Sequence, residues 1–229
     1  MTTAPLQPEL SAFIRARTRP AAVPIVPELV TYQASELTPL WHATQAELDG
    51  WDPAPFWAFA WPGGQALARH VLDHPELVRA RTVLDFGSGS GLVAIAAARA
   101  GAARVEACDR DPFGRVALQL NAVLNGVTVG WRQGDVLGDP LPDVQVVLAG
   151  DVFYERALAE GAMRWMSELA GRGKLVLAGD PGRLYTPRSG LRERASYRVP
   201  TSPEIEPASH LHASVYEVLP EISEGCPSA

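Results

Sequence analysis

From residue 82 onward the chain alternates two kinds of apolar pattern. Short, nearly continuous apolar runs fall near 82–85, 104–109, 128–133, 144–150 and 173–179. Longer stretches with apolar positions every three or four residues fall near 91–100, 112–125 and 155–170. The short runs read as strands and the periodic stretches as helices. Val144-Gln145-Val146-Val147-Leu148-Ala149 is almost wholly apolar, as expected of a strand covered on both faces of a parallel sheet. Gly101 and Gly126 stand just past two of the helices, where a glycine commonly ends a helix. Successive strand–helix–strand units with right-handed crossovers predict a doubly wound α/β fold. Two more strands, 194–199 and 210–219, are joined by a proline-rich link too short for a helix to pack. The last strand is therefore expected to return antiparallel, in a seven-stranded, mostly parallel sheet.

The first 55 residues follow neither pattern. They read as an N-terminal extension, irregular between prolines, with helices over 8–17 and 36–48. Phe56-Trp57-Ala58-Phe59-Ala60-Trp61 is aromatic and closes at Pro62-Gly63-Gly64. Residues 65–73 then predict a helix with Leu67, Val71 and Leu72 on one face. The domain proper is expected to span 56–220, with 221–229 as a tail.

Bulk properties narrow the classes. The 229 residues carry a net charge of −6, which gives no general attraction to nucleic acid. Arg15, Arg17 and Arg19 form one small basic cluster, either a solvated helix face or a contact for an acidic partner. The two cysteines, Cys108 and Cys226, make neither a disulfide framework nor a metal pattern, so a reducing compartment is expected. There is no apolar run of membrane-crossing length and no apolar signal core. A cytoplasmic monomer without a metal is the expectation.

The chemistry concentrates at Val83-Leu84-Asp85-Phe86-Gly87-Ser88-Gly89-Ser90-Gly91. A strand, a glycine turn and a helix start bring free N–H groups toward a ligand. The dinucleotide spacing is G-x-G-x-x-G, but here the glycines are 87, 89 and 91. Asp85, two residues before the turn, would repel a pyrophosphate and suits an ammonium. That combination points to S-adenosylmethionine, which has an amino-acid end and no phosphate. A ligand-free flexible turn is the bland alternative.

A second acid supports a nucleoside. Asp109 ends the run Arg104-Val105-Glu106-Ala107-Cys108 and lies 109 − 85 = 24 residues after Asp85, near the offset of a ribose-binding carboxylate. Asp135 suits an adenine amino group and Val136 offers a backbone N–H, although Gly134-Asp135 also reads as a plain turn. Asp85, Asp109, Asp135 and Asp151 all fall at carboxyl ends of predicted strands, which implies one shared pocket. Trp57 and Trp61 are either a packed lid or a cofactor wall, with Trp61 favoured near the methionine end. Arg183 either meets an acidic patch on a target or is a surface cation.

Four stretches carry a resemblance over roughly residues 55–219. They are the aromatic stretch running through Gly63-Gly64-Gln65-Ala66-Leu67, the turn at 85–91, Gly150-Asp151-Val152-Phe153-Tyr154, and Gly179-Asp180-Pro181-Gly182-Arg183. Together they resemble the seven-strand, S-adenosylmethionine-dependent protein-lysine methyltransferases, and most closely the electron transfer flavoprotein β-subunit lysine methyltransferase family. The resemblance implies a Rossmann-like class I methyltransferase fold. It implies that Asp151 and Tyr154, of a D-x-x-Y motif, form the lysine channel. The candidate cofactor side is Trp61, Asp85, Gly87, Ser88, Gly89, Gly91, Asp109, Arg110, Asp135, Val136 and Gly150. The implied substrate is a protein, the electron transfer flavoprotein β subunit.

The residues fit that chemistry. Lysine has a pKa of about 10.4 in water, yet only its neutral amine attacks a methyl group. Asp151 can accept from the ammonium, and Tyr154 can meet the cation with its ring or hydroxyl. No metal or covalent nucleophile is needed, and positioning supplies most of the rate. Nucleic-acid amino methyltransferases carry prolines after the acid, where this chain has Val152 and Phe153. The alternatives are a methyltransferase of a ribosomal protein and a non-catalytic S-adenosylmethionine-binding protein.

Overall fold

The computed structural model describes residues 8–35, 39–40, 42, 54–201 and 208–221. Most of the helix predicted over 36–48, the tail beyond 221 and Cys226 lie outside them. The predicted strands and helices from residue 82 onward are all present. They are β3 (Thr82–Phe86), α3 (Leu92–Arg99), β4 (Arg104–Cys108), α4 (Pro112–Leu124), β5 (Gly130–Trp131), β6 (Val146–Gly150), α5 (Arg156–Gly171), β7 (Leu175–Asp180), β8 (Leu191–Pro200) and β9 (His210–Val218). Ahead of them stand α1 (Pro8–Arg17), β1 (Arg19–Val23), β2 (Val26–Gln33) and α2 (Pro62–Asp73).

One seven-stranded sheet has the order β5-β4-β3-β6-β7-β9-β8. Strands β3 to β7 pair in parallel, and β9 runs antiparallel between β7 and β8. The expected antiparallel last strand is there, inserted inside the edge rather than at it. Alternate residues face opposite layers. Val83, Val146, Leu148 and Leu177 pack with Leu67 and Val71 of α2 and Val93 and Ala97 of α3. Leu84, Val147, Ala149 and Val176 pack with Ala162, Trp165 and Met166 of α5. The chain winds outward from β3 through β4 to β5, then returns to β6 beside β3. The strand order therefore reverses between β3 and β6, the place where such sheets open a ligand crevice.

Three local expectations need correction. Residues 19–33 are not irregular: β1 and β2 form an antiparallel hairpin in register Arg19↔Gln33. Its prolines sit on the exposed side of a two-stranded ribbon, where a missing N–H costs little. The hairpin docks on α4 through two asparagines. Asn121 Oδ1 accepts from Tyr32 N at 2.7 Å, and Asn125 exchanges bonds with the Val30 N–H and C=O at 3.0 and 2.6 Å. β5 has two residues rather than six, since this edge pairs only where β4 reaches it. α2 begins at Pro62, three residues early, because proline is well suited to a first helical position. Among the described residues no helix is long and apolar enough to cross a membrane.

Candidate active site

The glycine turn after β3 is built by backbone geometry. Gly87, Gly89 and Gly91 have φ of 66°, 48° and 77°, left-handed values that a side chain rarely adopts. Asp85, at the end of β3, is buried and accepts from Ala94 N of α3 at 2.9 Å. It ties strand to helix with one oxygen. Asp109, just past β4, accepts from Gly89 N at 2.7 Å and Asp111 N at 2.9 Å. Ser88 N donates to Cys108 O at 3.1 Å, so the turn is stitched directly to the end of β4.

The other end of the crevice is assembled from distant segments. Asp151 follows β6 with φ of 54°, and its N–H donates to Gly179 O of β7 at 2.8 Å. That unusual conformation for a non-glycine residue turns its carboxylate toward α2. Oδ2 accepts from Gly64 N at 2.7 Å, capping a helix whose own N-cap, Trp61, makes no side-chain cap bond. Gly63 and Gly64 permit the approach. A Cβ on Gly63 would collide with the Gly179 carbonyl, and one on Gly150 would stand 2.9 Å from Gly64 Cα. Asp151 Oδ1 is buried without a hydrogen-bond partner and lies 3.6 Å from Arg183 Nη2. Tyr154 meets Phe56 edge-on at 5.3 Å, and its hydroxyl accepts from Arg110 at 3.3 Å.

One cavity of about 1300 Å³ joins the two ends. Asp85, Gly87, Ser88, Gly89 and Asp109 line it from the turn. Asp135 and Val136 line it beyond β5, and Gly150, Asp151, Tyr154, Arg110 and Trp61 line it at the far end. Gly91 does not: a Cβ there would collide with Leu118, so its freedom serves packing against α4. Asp135 Oδ1 accepts from Leu137 N at 2.9 Å, which is the turn bond of the plainer reading. Arg110 reaches Tyr154 and Glu155 rather than the glycine turn. Trp57 is core, stacked on Phe113 at 5.3 Å and 11°, with an edge on the cavity. Gly63, Gly64 and Asp111 belong to the site yet carried no assignment. The proline and paired glycines at a helix start were the available signal for the first two.

The cavity gathers carboxylates that burial penalises. Burial pushes Asp85 up to about 8, against the Ala94 N–H bond, and nearby Asp109 adds to the rise. Burial likewise pushes Asp151 to about 7, although Arg183 opposes it, and Asp111 to about 7. Such a pocket favours a ligand that brings positive charge. S-adenosylmethionine fits, with an ammonium and a sulfonium. Ser88 Oγ, buried and unpaired, is a further polar group left for a ligand.

Comparison with known proteins agrees with this geometry. Residues 66–149 match the ribosomal protein L11 methyltransferase (PrmA) family. A solved structure of a proposed RNA methyltransferase from Pyrococcus horikoshii superposes with a TM-score of 0.53 at 15% identity, covering 73% of this chain and 89% of that one, which shows the shared fold. The electron transfer flavoprotein beta subunit lysine methyltransferase of Danio rerio is 40% identical over 66% of this chain, and the match spans 60% of that relative's length. The Mus musculus protein of the same name is 33% identical over 94% of this chain and 86% of its own. The chain thus belongs to the electron transfer flavoprotein beta subunit lysine methyltransferase family.

Proposed function

We propose that this enzyme methylates lysine ε-amino groups of the electron transfer flavoprotein β subunit. Its cofactor is S-adenosylmethionine, and bound there it supplies an activated methyl group on a sulfonium. The observation that carries the acceptor assignment is Asp151 Oδ1, a buried carboxylate oxygen with no hydrogen-bond partner on the cavity wall. An ammonium entering there gains the acceptor that the fold leaves open. Tyr154 and Phe56 wall the approach, and the Gly64 N–H holds the carboxylate in place through Oδ2. Asp85 and Asp109 hold the donor's amino-acid and ribose ends, so the two halves of the cavity serve the two reactants. The net charge of −6 supports a protein substrate over nucleic acid. The buried, free Cys108 supports a reducing compartment, the cytoplasm.

The direct test incubates the enzyme with labelled methyl donor and purified electron transfer flavoprotein, followed by peptide mass spectrometry. Label on β-subunit lysines is the expected result. Label on ribosomal protein or RNA from a lysate, with none on the flavoprotein, would overturn the target.

A further inference from the structure

The turn Gly179-Asp180-Pro181-Gly182-Arg183 leaves β7 at the cavity, which Arg183 lines. Its construction is specific. Asp180 is fully buried, and its Oδ1 accepts from Gly182 N, Arg183 N and Thr186 Oγ1 at 2.7, 2.8 and 2.6 Å. Gly182, at φ of 86°, lets the chain double back. The result aims Arg183 at the acceptor end. Its guanidinium lies 5.8 Å from the centre of the Trp61 ring, and Trp61 is itself fixed by a 2.8 Å bond from Nε1 to Phe56 O. The 3.6 Å from Arg183 Nη2 to Asp151 Oδ1 is an ion-pair distance, too long for a hydrogen bond. Arginine usually grips a carboxylate with two parallel bonds. Here it neutralises the charge while leaving the oxygen's lone pairs unspent.

We propose that Arg183 is the resident counter-ion of the acceptor site, favouring the ionised form of Asp151 until the substrate ammonium takes Oδ1. This rests on the reading of Asp151 as the lysine-side carboxylate. Among the described residues, the groups facing Asp151 are the Gly63 and Gly64 N–H groups from α2, and Arg183 and Asp180 from the β7 turn. Asp180 and burial both favour the protonated acid, and Arg183 supplies the opposing charge. A protonated Asp151 would present a donor where an ammonium needs an acceptor. The G-D-P-G-R turn thus sets the charge state of a residue 183 − 151 = 32 positions earlier.

The test titrates the carboxyl ¹³C resonance of Asp151 in the free protein, assigned by its loss in Asp151→Asn. Arg183→Gln should raise the midpoint by about one unit or more, and Arg183→Lys should keep it near wild type. A midpoint unmoved in Arg183→Gln overturns the proposal. A second readout follows kcat/KM on the β subunit from pH 6 to 9.5, with cofactor affinity measured by calorimetry. Arg183→Gln should lose roughly fivefold at pH 7 and close to tenfold at pH 6, as a one-unit shift from about 7 requires, and recover by pH 9. An equal loss at every pH would make Arg183 a target contact instead, and a parallel loss of cofactor affinity would place it on the donor side. Full activity in Asp151→Asn would sink the underlying reading of Asp151. An inactive Asp151→Asn beside an unshifted Arg183→Gln would sink the counter-ion alone.

Discussion

The two ends of the cavity are built on different principles. The donor end is contiguous: Asp85, the glycine turn, Ala94 and Asp109 lie within 25 residues and are joined by backbone N–H bonds to carboxylates and a carbonyl. The acceptor end takes Asp151 from β6, Gly63 and Gly64 from α2, and Arg183 from beyond β7. Its key oxygen is left unbonded. Backbone donors fix the carboxylates of the glycine-turn end in place. At the other end a carboxylate from beyond β6 and a guanidinium from beyond β7 meet at ion-pair distance, with only backbone N–H groups from α2. On the proposed reading, the first end binds the donor and the second handles the acceptor amine.

Substitutions should respect that division. Asp151→Asn is close to isosteric, and the amide oxygen can still cap Gly64, so the fold is kept. Turnover should fall by about 10²–10⁴, the range of a lost acid–base partner, while calorimetric cofactor affinity stays within about twofold. If affinity fell in step with turnover, the two ends would not be separate. Asp109→Ala is the mirror test. It removes the acceptor of Gly89 N, and cofactor binding should weaken by about 1.5–3 kcal/mol. Turnover at saturating donor should change little, and a large drop there would place Asp109 in the chemistry.

That Asp85, the glycine turn and Asp109 share one cavity was readable from the sequence because these signals are adjacent. Strand, turn and helix follow one another, and the next acid arrives at the next strand end. The alternating apolar patterns also exposed the sheet, since burial on both faces writes itself into each strand. What stayed hidden depends on tertiary approach. The β1–β2 hairpin pairs with itself and docks through Asn121 and Asn125, so no apolar period marks it. Gly63 and Gly64 looked like a break, yet they are the first turn of α2, pressed against Gly150 and Gly179. The ion pair between Asp151 and Arg183 exists only because β6 and β7 are neighbours in register, Gly150 opposite Gly179.

A smaller effect should appear in the pH dependence of donor binding. With Asp85 raised to about 8 by burial, its carboxyl is largely protonated at pH 6 to 7 in the free protein. A ligand ammonium favours the carboxylate, so binding expels the proton. Affinity should therefore rise with pH, by up to about tenfold between pH 6 and 7, and flatten as pH reaches 8. Calorimetry in buffers of different ionisation heat would count the released proton. Pairing the raised pKa with the opposite sign for folding, the ligand-free protein should lose stability as pH climbs toward 8. An affinity flat across this range would move the ammonium away from Asp85.

Tyr154 should give the smallest effect and divides the acceptor end further. Its ring packs edge-on against Phe56, while its hydroxyl makes one long bond, 3.3 Å, to an exposed Arg110. Tyr154→Phe keeps the wall and removes the bond, and a bond of this kind contributes about 0.5–1.5 kcal/mol at most. A fall in kcat/KM of roughly two- to fivefold is expected, at the low end of that range. Tyr154→Ala, which opens the wall to water, should cost more than Phe does. If Phe and Ala were equally impaired, the hydroxyl would be the working group and Arg110 would join the acceptor site through it. If Phe matched wild type at every pH, the channel would be lined by an aromatic face alone, and Asp151 with Arg183 would carry all of its charge control.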